Sequence, residues 1–401
     1  MRGWVAGVFG WYAGAELTVR TISILGATGS VGASTLDLIR RNRDMFRVVA
    51  LTANCQAEEL AKLAREFSAE VAVVADENCL PALREALSGT STATAAGAAA
   101  LDEAAARPAD LTIAAIVGCA GLSPTMAAIE QGRTVALANK EALVSAGAVM
   151  TAAVARCGTT LLPVDSEHNA IFQCLAGNRL ADVASITLTA SGGPFRDWTF
   201  EQLAAATPAQ AVRHPNWDMG AKISVDSATM FNKGLELIEA HHLFPVGHDK
   251  LRILVHPQSV IHSMVEFRDG STLAQLGPAD MRVPIASALA WPQRMATPCT
   301  PLDLAAIGEL TFRAPDEERF PATRLARQAV EAGGAAPAVL NAANEIAVAA
   351  FLAGHIPFTR IAAYVADVLA ASALPAPASL ADVIAVDAEA RAIARAQMQT
   401  T

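Results

Sequence analysis

The chain has 401 residues, 53% of them hydrophobic and 17% charged, with a formal net charge of −9 at pH 7. That length exceeds one ordinary domain, and the apolar content excludes a disordered chain. The acidic balance excludes a nucleic-acid binder, which needs a basic face, and it requires any anionic ligand to be held by local donors.

The opening stretch "MRGWVAGVFGWYAGAEL" combines Arg2, an apolar run and Ala13-Gly14-Ala15, a faint likeness to a secretory leader. Its only charged side chain before the apolar run is Arg2, and a strand pattern starts near Leu17. An unstructured extension over 1–20 is expected instead, and a misplaced start would account for it. "LTVRTISILGATGSVGASTLDLIRRN" (17–42) then reads as strand, glycine-rich turn and helix, and "FRVVAL" (46–51) as a second strand, together a βαβ unit. Further strand-like runs follow at 70–76, 111–118, 134–139 and 159–164, with helical patterns at 56–67, 123–131 and 141–156. Such alternation predicts an α/β fold with a mostly parallel sheet covered on both faces.

Beyond Asp165 the character changes. "ASITLTASGGPF" (184–195) is a strand entering a glycine-rich loop, and 207–224 is polar with weak periodicity. In 252–277, Asp269-Gly270 separates two alternating runs, a hairpin signal. An α+β domain is expected here. A Pro-rich connector over 291–316 leads to a helical remainder beginning near "AAPAVLNAANEIAVAAFLAGHI" (335–356). No run beyond the N-terminus is long and charge-free enough to span a membrane. The six cysteines (Cys55, Cys79, Cys119, Cys157, Cys174 and Cys299) form no CxxC pair, so reduced thiols and a cytoplasmic location are expected.

Two stretches carry chemistry. "GATGSVG" sets Gly26, Gly29 and Gly32 between a strand and a helix. These glycines allow a tight turn and close backbone approach, and the free N–H groups of the helix start suit a pyrophosphate. The spacing alone also fits a plain packing turn; the strand–turn–helix setting is what points to a nucleotide. An NAD enzyme should carry Asp or Glu at the end of the second strand to hold the ribose 2′-OH. The stretch there is "TANCQ" (52–56), with no acid and no Arg or Lys. The case for the 2′-phosphate of NADP rests on the absence of a repulsive group.

The other stretch is "LLPVDSEHNAIFQ" (161–173). Asp165 and Glu167, spaced i, i+2 at the end of an extended run, are expected to point the same way and to suit Mg²⁺ or Mn²⁺. Glu236 and Glu239 in "SVDSATMFNKGLELIEAHHLF" (224–244) offer a third ligand, and Ser227, Asn232 and Lys233 offer donors for an anion. The plainer alternatives stay open: Asp165 as a helix cap, Glu236 and Glu239 as exposed helix charges, His168 as a neighbour, and His241 and His242 as surface or interface histidines.

Taken together, "GATGSVG", "LANKEALV", "LLPVDSEHNAIFQ", "SGGPFRD", "RHPNWDMGAKISVDSATMFNKGLELIEA", "HPQSVIHSMVEF", "LAQLGPADMRVPIA" and "LNAANEIAVAAFL" resemble the 1-deoxy-D-xylulose 5-phosphate reductoisomerase family. The likeness runs from about Thr21 to near the C-terminus. It implies an N-terminal Rossmann-like NADPH-binding domain over 21–164 and a central α+β catalytic and dimerisation domain over 165–290. A mobile lid is implied near 210–221, a linker over 291–316 and a C-terminal α-helical domain over 317–401. The implied reaction rearranges 1-deoxy-D-xylulose 5-phosphate by retro-aldol cleavage and re-addition. NADPH then reduces the resulting aldehyde to 2-C-methyl-D-erythritol 4-phosphate, the committed step of non-mevalonate isoprenoid synthesis.

By the same resemblance, Asp165, Glu167 and Glu236 hold one divalent metal (Mg²⁺, Mn²⁺ or Co²⁺), and Ser166 and Lys140 touch the substrate. Ser191, His214, Ser227, Asn232 and Lys233 receive its phosphate, and Trp217 closes over it. Lys140, Asp165, Glu167, His214 and Glu236 form the implied catalytic set. On the cofactor side, Gly26, Thr28, Gly29, Ser30, Val31 and Gly32 wrap the pyrophosphate. Ala53, Asn54, Cys55 and Gln56 face the adenosine ribose, while Asn139, Glu141 and Gly220 lie along the rest. A homodimer through the 259–276 hairpin is implied. One departure stands out: the family commonly has Lys or Arg where this chain has Cys55, and Arg40, Arg41 or Arg43 is expected to substitute. Two rivals remain. One is a reductase of the aspartate-semialdehyde dehydrogenase type, which needs a nucleophilic cysteine such as Cys174. The other is a non-catalytic NADP-binding module.

Overall fold

The computed structural model describes residues 19–217 and 219–400, so the expected N-terminal extension lies outside the described residues up to position 18. The chain divides into two compact units. The first runs to Ala142 and adds Met150–Asn169 and Met281–Cys299; the second takes Leu143–Val149, Ala170–Asp280 and the chain from Thr300.

The first unit alternates strands and helices: β1 (Arg20–Leu25), α1 (Ser30–Arg41), β2 (Phe46–Ala53), α2 (Ala57–Phe67), β3 (Val71–Val74), α3 (Leu80–Ala86), β4 (Ala93–Ala96), α4 (Ala98–Ala105), β5 (Leu111–Ala114), α5 (Leu122–Ile129), β6 (Thr134–Leu137), α6 (Lys140–Cys157) and β7 (Thr160–Pro163). The strands form one parallel sheet in the order β4-β3-β2-β1-β5-β6-β7. β3 and β5 are buried at every position, the pattern of a sheet covered on both faces. β4, "ATAA", had no sequence signal. Its three alanines carry little β-preference, and pairing with β3 decides it.

The winding changes direction between β1 and β5, the place where such sheets open a ligand crevice beyond their C-terminal ends. Gly26 sits there at φ +88°, and a Cβ on it would come 2.8 Å from the carbonyl oxygen of Ala115. Only glycine lets the turn after β1 lie so close to the turn after β5.

α7 (Ser166–Leu175) follows β7 and passes from the first unit into the second. The second unit holds β8 (Val183–Ala190), α8 (Phe200–Ala204), α9 (Pro208–Ala211), α10 (Ala221–Thr229), α11 (Phe231–Leu243), β9 (Leu251–Val255), β10 (Ile261–Phe267) and β11 (Thr272–Leu276). Its sheet order is β11-β10-β8-β9, with β8 and β9 parallel and the other pairs antiparallel. The predicted hairpin turn is present: Gly270 has φ +85°, and Ser271 N–H donates to Asp269 Oδ1 at 2.9 Å.

α12 (Arg282–Ala290) returns to the first unit, where it packs on α1. There Arg282 Nη1 reaches Asp37 Oδ2 at 3.2 Å, and Arg20 Nη1 donates to the Leu289 carbonyl at 2.8 Å. After α13 (Leu304–Ile307), the helices α14 (Ala322–Ala332), α15 (Ala336–Leu352), α16 (Arg360–Ala371) and α17 (Leu380–Thr400) complete the second unit. The first three-quarters of α15 is almost wholly buried, and α14, α16 and α17 pack around it. No helix among the described residues is long and apolar enough to cross a membrane.

Candidate active site

The turn after β1 is built to receive an anion. Gly29 caps α1 in extended backbone with no side-chain hydrogen bond, and no acidic residue lies in the first turn. The first N–H groups of α1 are therefore open to a ligand, with the positive end of the helix dipole behind them. A Cβ on Gly32 would come 2.4 Å from the Gly26 carbonyl oxygen, so no larger residue fits there. Gly26 N–H donates to Thr52 Oγ1 at 2.9 Å and Ala27 N–H to the Thr52 carbonyl at 2.7 Å, tying the turn to β2. Gly29 and Ser30 are exposed, and Thr28 and Val31 are half-buried. This cradle fits a dinucleotide pyrophosphate.

Beyond β2, Ala53 is buried while Asn54, Cys55 and Gln56 are exposed. The expectation that Arg40, Arg41 or Arg43 compensates for Cys55 fails. Arg40 forms a two-pronged pair with Glu66 at 2.6 and 2.9 Å, Arg43 joins the same carboxylate at 2.9 Å, and Arg41 pairs with Asp37 at 3.1 Å. The deeper reason is topological. These arginines precede β2 and Cys55 follows it, and β2 has 8 residues, which places them at opposite edges of the sheet, roughly 26 Å apart.

Asn139 caps α6, accepting from Ala142 N–H at 3.1 Å, and its Nδ2 donates to the Gly118 carbonyl at 2.9 Å. It thus joins the loops after β5 and β6. Glu141 is buried in the first turn of α6, and Gly220 caps α10 in the second unit.

Asp165 stands at the junction of β7 and α7. The sequence reading put Asp165 and Glu167 on one side of an extended run. In the structure the strand ends at Pro163, and Glu167 already lies in the first helical turn. The helical turn, rather than the strand period, brings carboxylate oxygens of the two within 4.8 Å. Asp165 also serves as the cap: its Oδ1 accepts from Glu167 N–H at 3.3 Å, while Oδ2 faces Lys140 Nζ at 2.6 Å. Ser166 Oγ donates to Glu167 Oε2 at 2.6 Å. Fully buried His168 has Nδ1 3.8 Å from Asp165 Oδ1. Paired carboxylates this close suit a hard cation.

In the second unit, Lys233, Glu236 and Glu239 on α11 are 3%, 1% and 3% exposed, which rules out the reading of exposed helix charges. Glu236 accepts from Asn232 Nδ2 at 2.5 Å and from Lys233 Nζ. A carboxylate buried this deeply requires cations and donors around it.

The donors expected to take a phosphate converge in this unit. Nδ1 of His214 accepts the N–H groups of Asn216 at 3.1 Å and Trp217 at 3.0 Å. The ring proton of the neutral form therefore sits on Nε2, which lies 2.8 Å from Ser191 Oγ. Gly193 N–H also donates to Ser191 Oγ at 3.1 Å. With two donors directed at its oxygen, the Ser191 hydroxyl keeps its own hydrogen to give. A Cβ on Gly193 would come 2.6 Å from the Ser227 carbonyl oxygen, so the "SGG" loop lies directly against the end of α10. Met230, left-handed at φ +66°, then turns the chain from α10 into α11, and Asn232 and Lys233 follow at once. Trp217 lies 6.3 Å from His262, ring centre to ring centre, and Asn216 Nδ2 donates to the Pro257 carbonyl at 2.7 Å.

Sequence reasoning missed a positioning pair. Asp226, 1% exposed, meets Lys222 at 2.8 Å and accepts from Asn344 Nδ2 at 2.8 Å. This fastens α10, with Ser227, to α15. The signal was there: two asparagines, Asn341 and Asn344, in a helix whose one other polar residue is Glu345. His242 is half-buried. A Cβ on Gly147 would meet its Nε2 at 2.1 Å, so one side of the ring packs against α6. Cys174 cannot serve the rival thiol chemistry, since burial pushes its thiol up to about 11.

A doubly wound sheet with an open, glycine-built helix start, paired carboxylates and a separate cluster of phosphate-type donors defines a dinucleotide-dependent oxidoreductase acting on an anionic substrate. Models of 1-deoxy-D-xylulose 5-phosphate reductoisomerase match residues 22–147 and, for its C-terminal domain, 161–244, and a DXP reductoisomerase C-terminal domain matches 276–393. The 1-deoxy-D-xylulose 5-phosphate reductoisomerase of Zymomonas mobilis is 58% identical over 381 residues, covering 95% of this chain and 98% of that protein. The enzyme of the same name from Gluconobacter oxydans is 56% identical, with 96% and 94% covered. The solved Zymomonas mobilis structure in complex with NADPH superposes with a TM-score of 0.92 at 57% identity, covering 96% of this chain and 100% of that one. A reductoisomerase solved with NADPH, fosmidomycin and magnesium gives a TM-score of 0.89 at 43% identity, with 95% and 98% covered. The chain belongs to the 1-deoxy-D-xylulose 5-phosphate reductoisomerase family.

Proposed function

We infer that this chain converts 1-deoxy-D-xylulose 5-phosphate to 2-C-methyl-D-erythritol 4-phosphate, using NADPH and a divalent metal. The geometric observation that best supports this reading is the Ser191–His214 contact beside the end of α10, a set of aimed neutral donors followed by a buried lysine. We assign Asp165, Glu167 and Glu236 to the metal, all hard-oxygen donors. A divalent ion held there supplies Lewis-acid polarisation of the substrate's carbonyl and neighbouring hydroxyl oxygens, and NADPH supplies the hydride.

The protein's own groups do the rest. Ser191, His214, Ser227, Asn232 and Lys233 bind the phosphate and fix the register of the sugar. Ser166 and Lys140 orient the oxygens near the carboxylates. Trp217, in the lid near 210–221, excludes water once substrate is bound. Gly26, Thr28, Gly29, Ser30, Val31 and Gly32 hold the pyrophosphate. Ala53, Asn54, Cys55 and Gln56 line the ribose, and Asn139, Glu141 and Gly220 flank the remainder. In this assignment 21–164 serves the cofactor, 165–290 the chemistry and pairing, and 317–401 the support of α10 and α11. The experiment is NADPH oxidation with 1-deoxy-D-xylulose 5-phosphate, with and without Mg²⁺ or Mn²⁺. Oxidation should need both substrate and metal; metal-independent oxidation would overturn the assignment.

A homodimer and a cytoplasmic location complete the proposal. β11 is an edge strand with Leu273 and Leu276 exposed, a surface suited to pairing with a second copy. Light scattering that finds a monomer at micromolar concentration would refute the dimer. All six cysteines are free thiols, in keeping with a reducing compartment; export of the folded protein to an oxidising compartment would contradict it.

A further inference from the structure

The cofactor reading leaves open how the adenosine ribose is recognised, and the structure supplies an answer that rests on that reading. In a doubly wound fold the residues beyond the second strand meet the ribose. Here they are Asn54, Cys55 and Gln56, all exposed and all uncharged. The first turn of α2 then adds the exposed acids Glu58 and Glu59. The adjacent end of β3 adds Asp76, whose backbone N–H donates to the Asn54 carbonyl at 3.1 Å, and exposed Glu77.

The arginines nearest this loop in sequence are engaged elsewhere. Arg40, Arg41 and Arg43 lie at the opposite edge in pairs with Glu66 and Asp37. Arg47 pairs with Glu70 at 2.6 Å, before β3, and Arg65 near the end of α2 donates to the Ala86 and Ser88 carbonyls. Lys62, in the second turn of α2, stands 3.6 Å from Glu59. From Gly26 to Ile39 and from Ala53 to Ala61 the sequence has no Lys or Arg. A 2′-phosphate placed here meets neutral donors and a local excess of negative charge. A 2′-hydroxyl finds no carboxylate in the loop itself.

We propose that Cys55 is the specificity-determining position of this enzyme and that, with a neutral thiol there, it favours NADPH over NADH only weakly, by less than about thirty-fold. A charge-assisted contact to a phosphate is worth about a ten- to hundred-fold preference, and this chain forgoes it. Cys55 is exposed, so replacing it leaves the core untouched.

The test is calorimetric titration of the whole protein with NADPH and with NADH, without substrate, for the parent, Cys55→Ser and Cys55→Arg. The parent and Cys55→Ser should favour NADPH by less than about thirty-fold. Cys55→Arg should raise that ratio about ten- to a hundred-fold by tightening NADPH alone, with a salt dependence the parent lacks. A parent ratio above about thirty-fold, or a ratio that Cys55→Arg leaves unmoved, overturns the proposal while sparing the cofactor reading. Failure of both nucleotides to bind the parent overturns both.

Discussion

Lys140 Nζ lies 2.6 Å from Oδ2 of Asp165, joining the first residue of α6 to the cap of α7. Both groups are largely buried, at 8% and 15% side-chain exposure, so the pair is shielded from solvent screening. The ammonium holds the carboxylate in place beside Glu167 and neutralises part of the repulsion between the two acids. Lys140→Met removes the charge and keeps the stem. Turnover with 1-deoxy-D-xylulose 5-phosphate should fall about a hundred-fold, the typical cost of misplacing a group at the reacting centre. NADPH affinity should stay within about threefold. Steady-state kinetics with nucleotide titration checks this, and unchanged turnover would show that Lys140 only packs.

Glu236 is 1% exposed and surrounded by Asn232 and Lys233. Glu236→Gln preserves size and removes the charge. Metal-supported turnover should be lost, while NADPH still binds and the far-ultraviolet spectrum is unchanged. Full activity would remove Glu236 from the metal set.

His214 aims its Nε2 proton at Ser191. In His214→Phe that donor is gone and the two backbone N–H groups on Nδ1 lose their acceptor. KM for the phosphorylated sugar should rise about tenfold or more, from roughly 1.5 kcal/mol of lost hydrogen bonding. KM for NADPH should hardly move. Equal changes in both constants would place His214 outside the phosphate pocket.

His242 is held neutral, its pKa lowered to about 4 by burial and, less so, by the neighbouring His241 charge. The unfolded chain takes up a proton near pH 6.5 and the folded one only near 4. Stability from the half-buried neutral ring is therefore full above pH 6.5 and is lost as pH falls toward 4. The loss amounts to roughly 3 kcal/mol. Thermal midpoints should drop across that window less steeply in His242→Gln than in the parent. Parallel curves would show that His242 does not carry the acid sensitivity.

Cys174 is buried, with its thiol pushed up to about 11, so it is almost wholly protonated at neutral pH. Brief iodoacetamide treatment of the folded protein should label exposed Cys55 and spare Cys174, as read by peptide mass spectrometry. Cys174→Ala should retain turnover. A dead Cys174→Ala that still binds NADPH and stays folded would revive a thiol mechanism.

The sequence by itself determined what local chemistry specifies. Apolar runs alternating with helical periods defined the parallel sheet. Gly26, Gly29 and Gly32 defined the turn: Gly26 needs its positive φ, and Gly32 a backbone approach that any Cβ would block. Asp269-Gly270 defined the hairpin. Long motifs such as "RHPNWDMGAKISVDSATMFNKGLELIEA" carried the family likeness and, through it, Ser191, His214, Ser227, Asn232 and Lys233. Tertiary structure decided the rest. Four-residue β4 exists because β3 offers it a partner. Asp165 and Glu167 approach across a helical turn, not along a strand. Asp226 and Asn344, 118 positions apart, meet because α10 packs on α15. Arg43 and Cys55, only a strand apart in sequence, cannot share a ligand, because an extended β2 carries them to opposite edges of the sheet. Sequence spacing sets which residues share a turn or a face, whereas the direction of each strand and the partner of each helix set which side chains meet, and packing alone settles those.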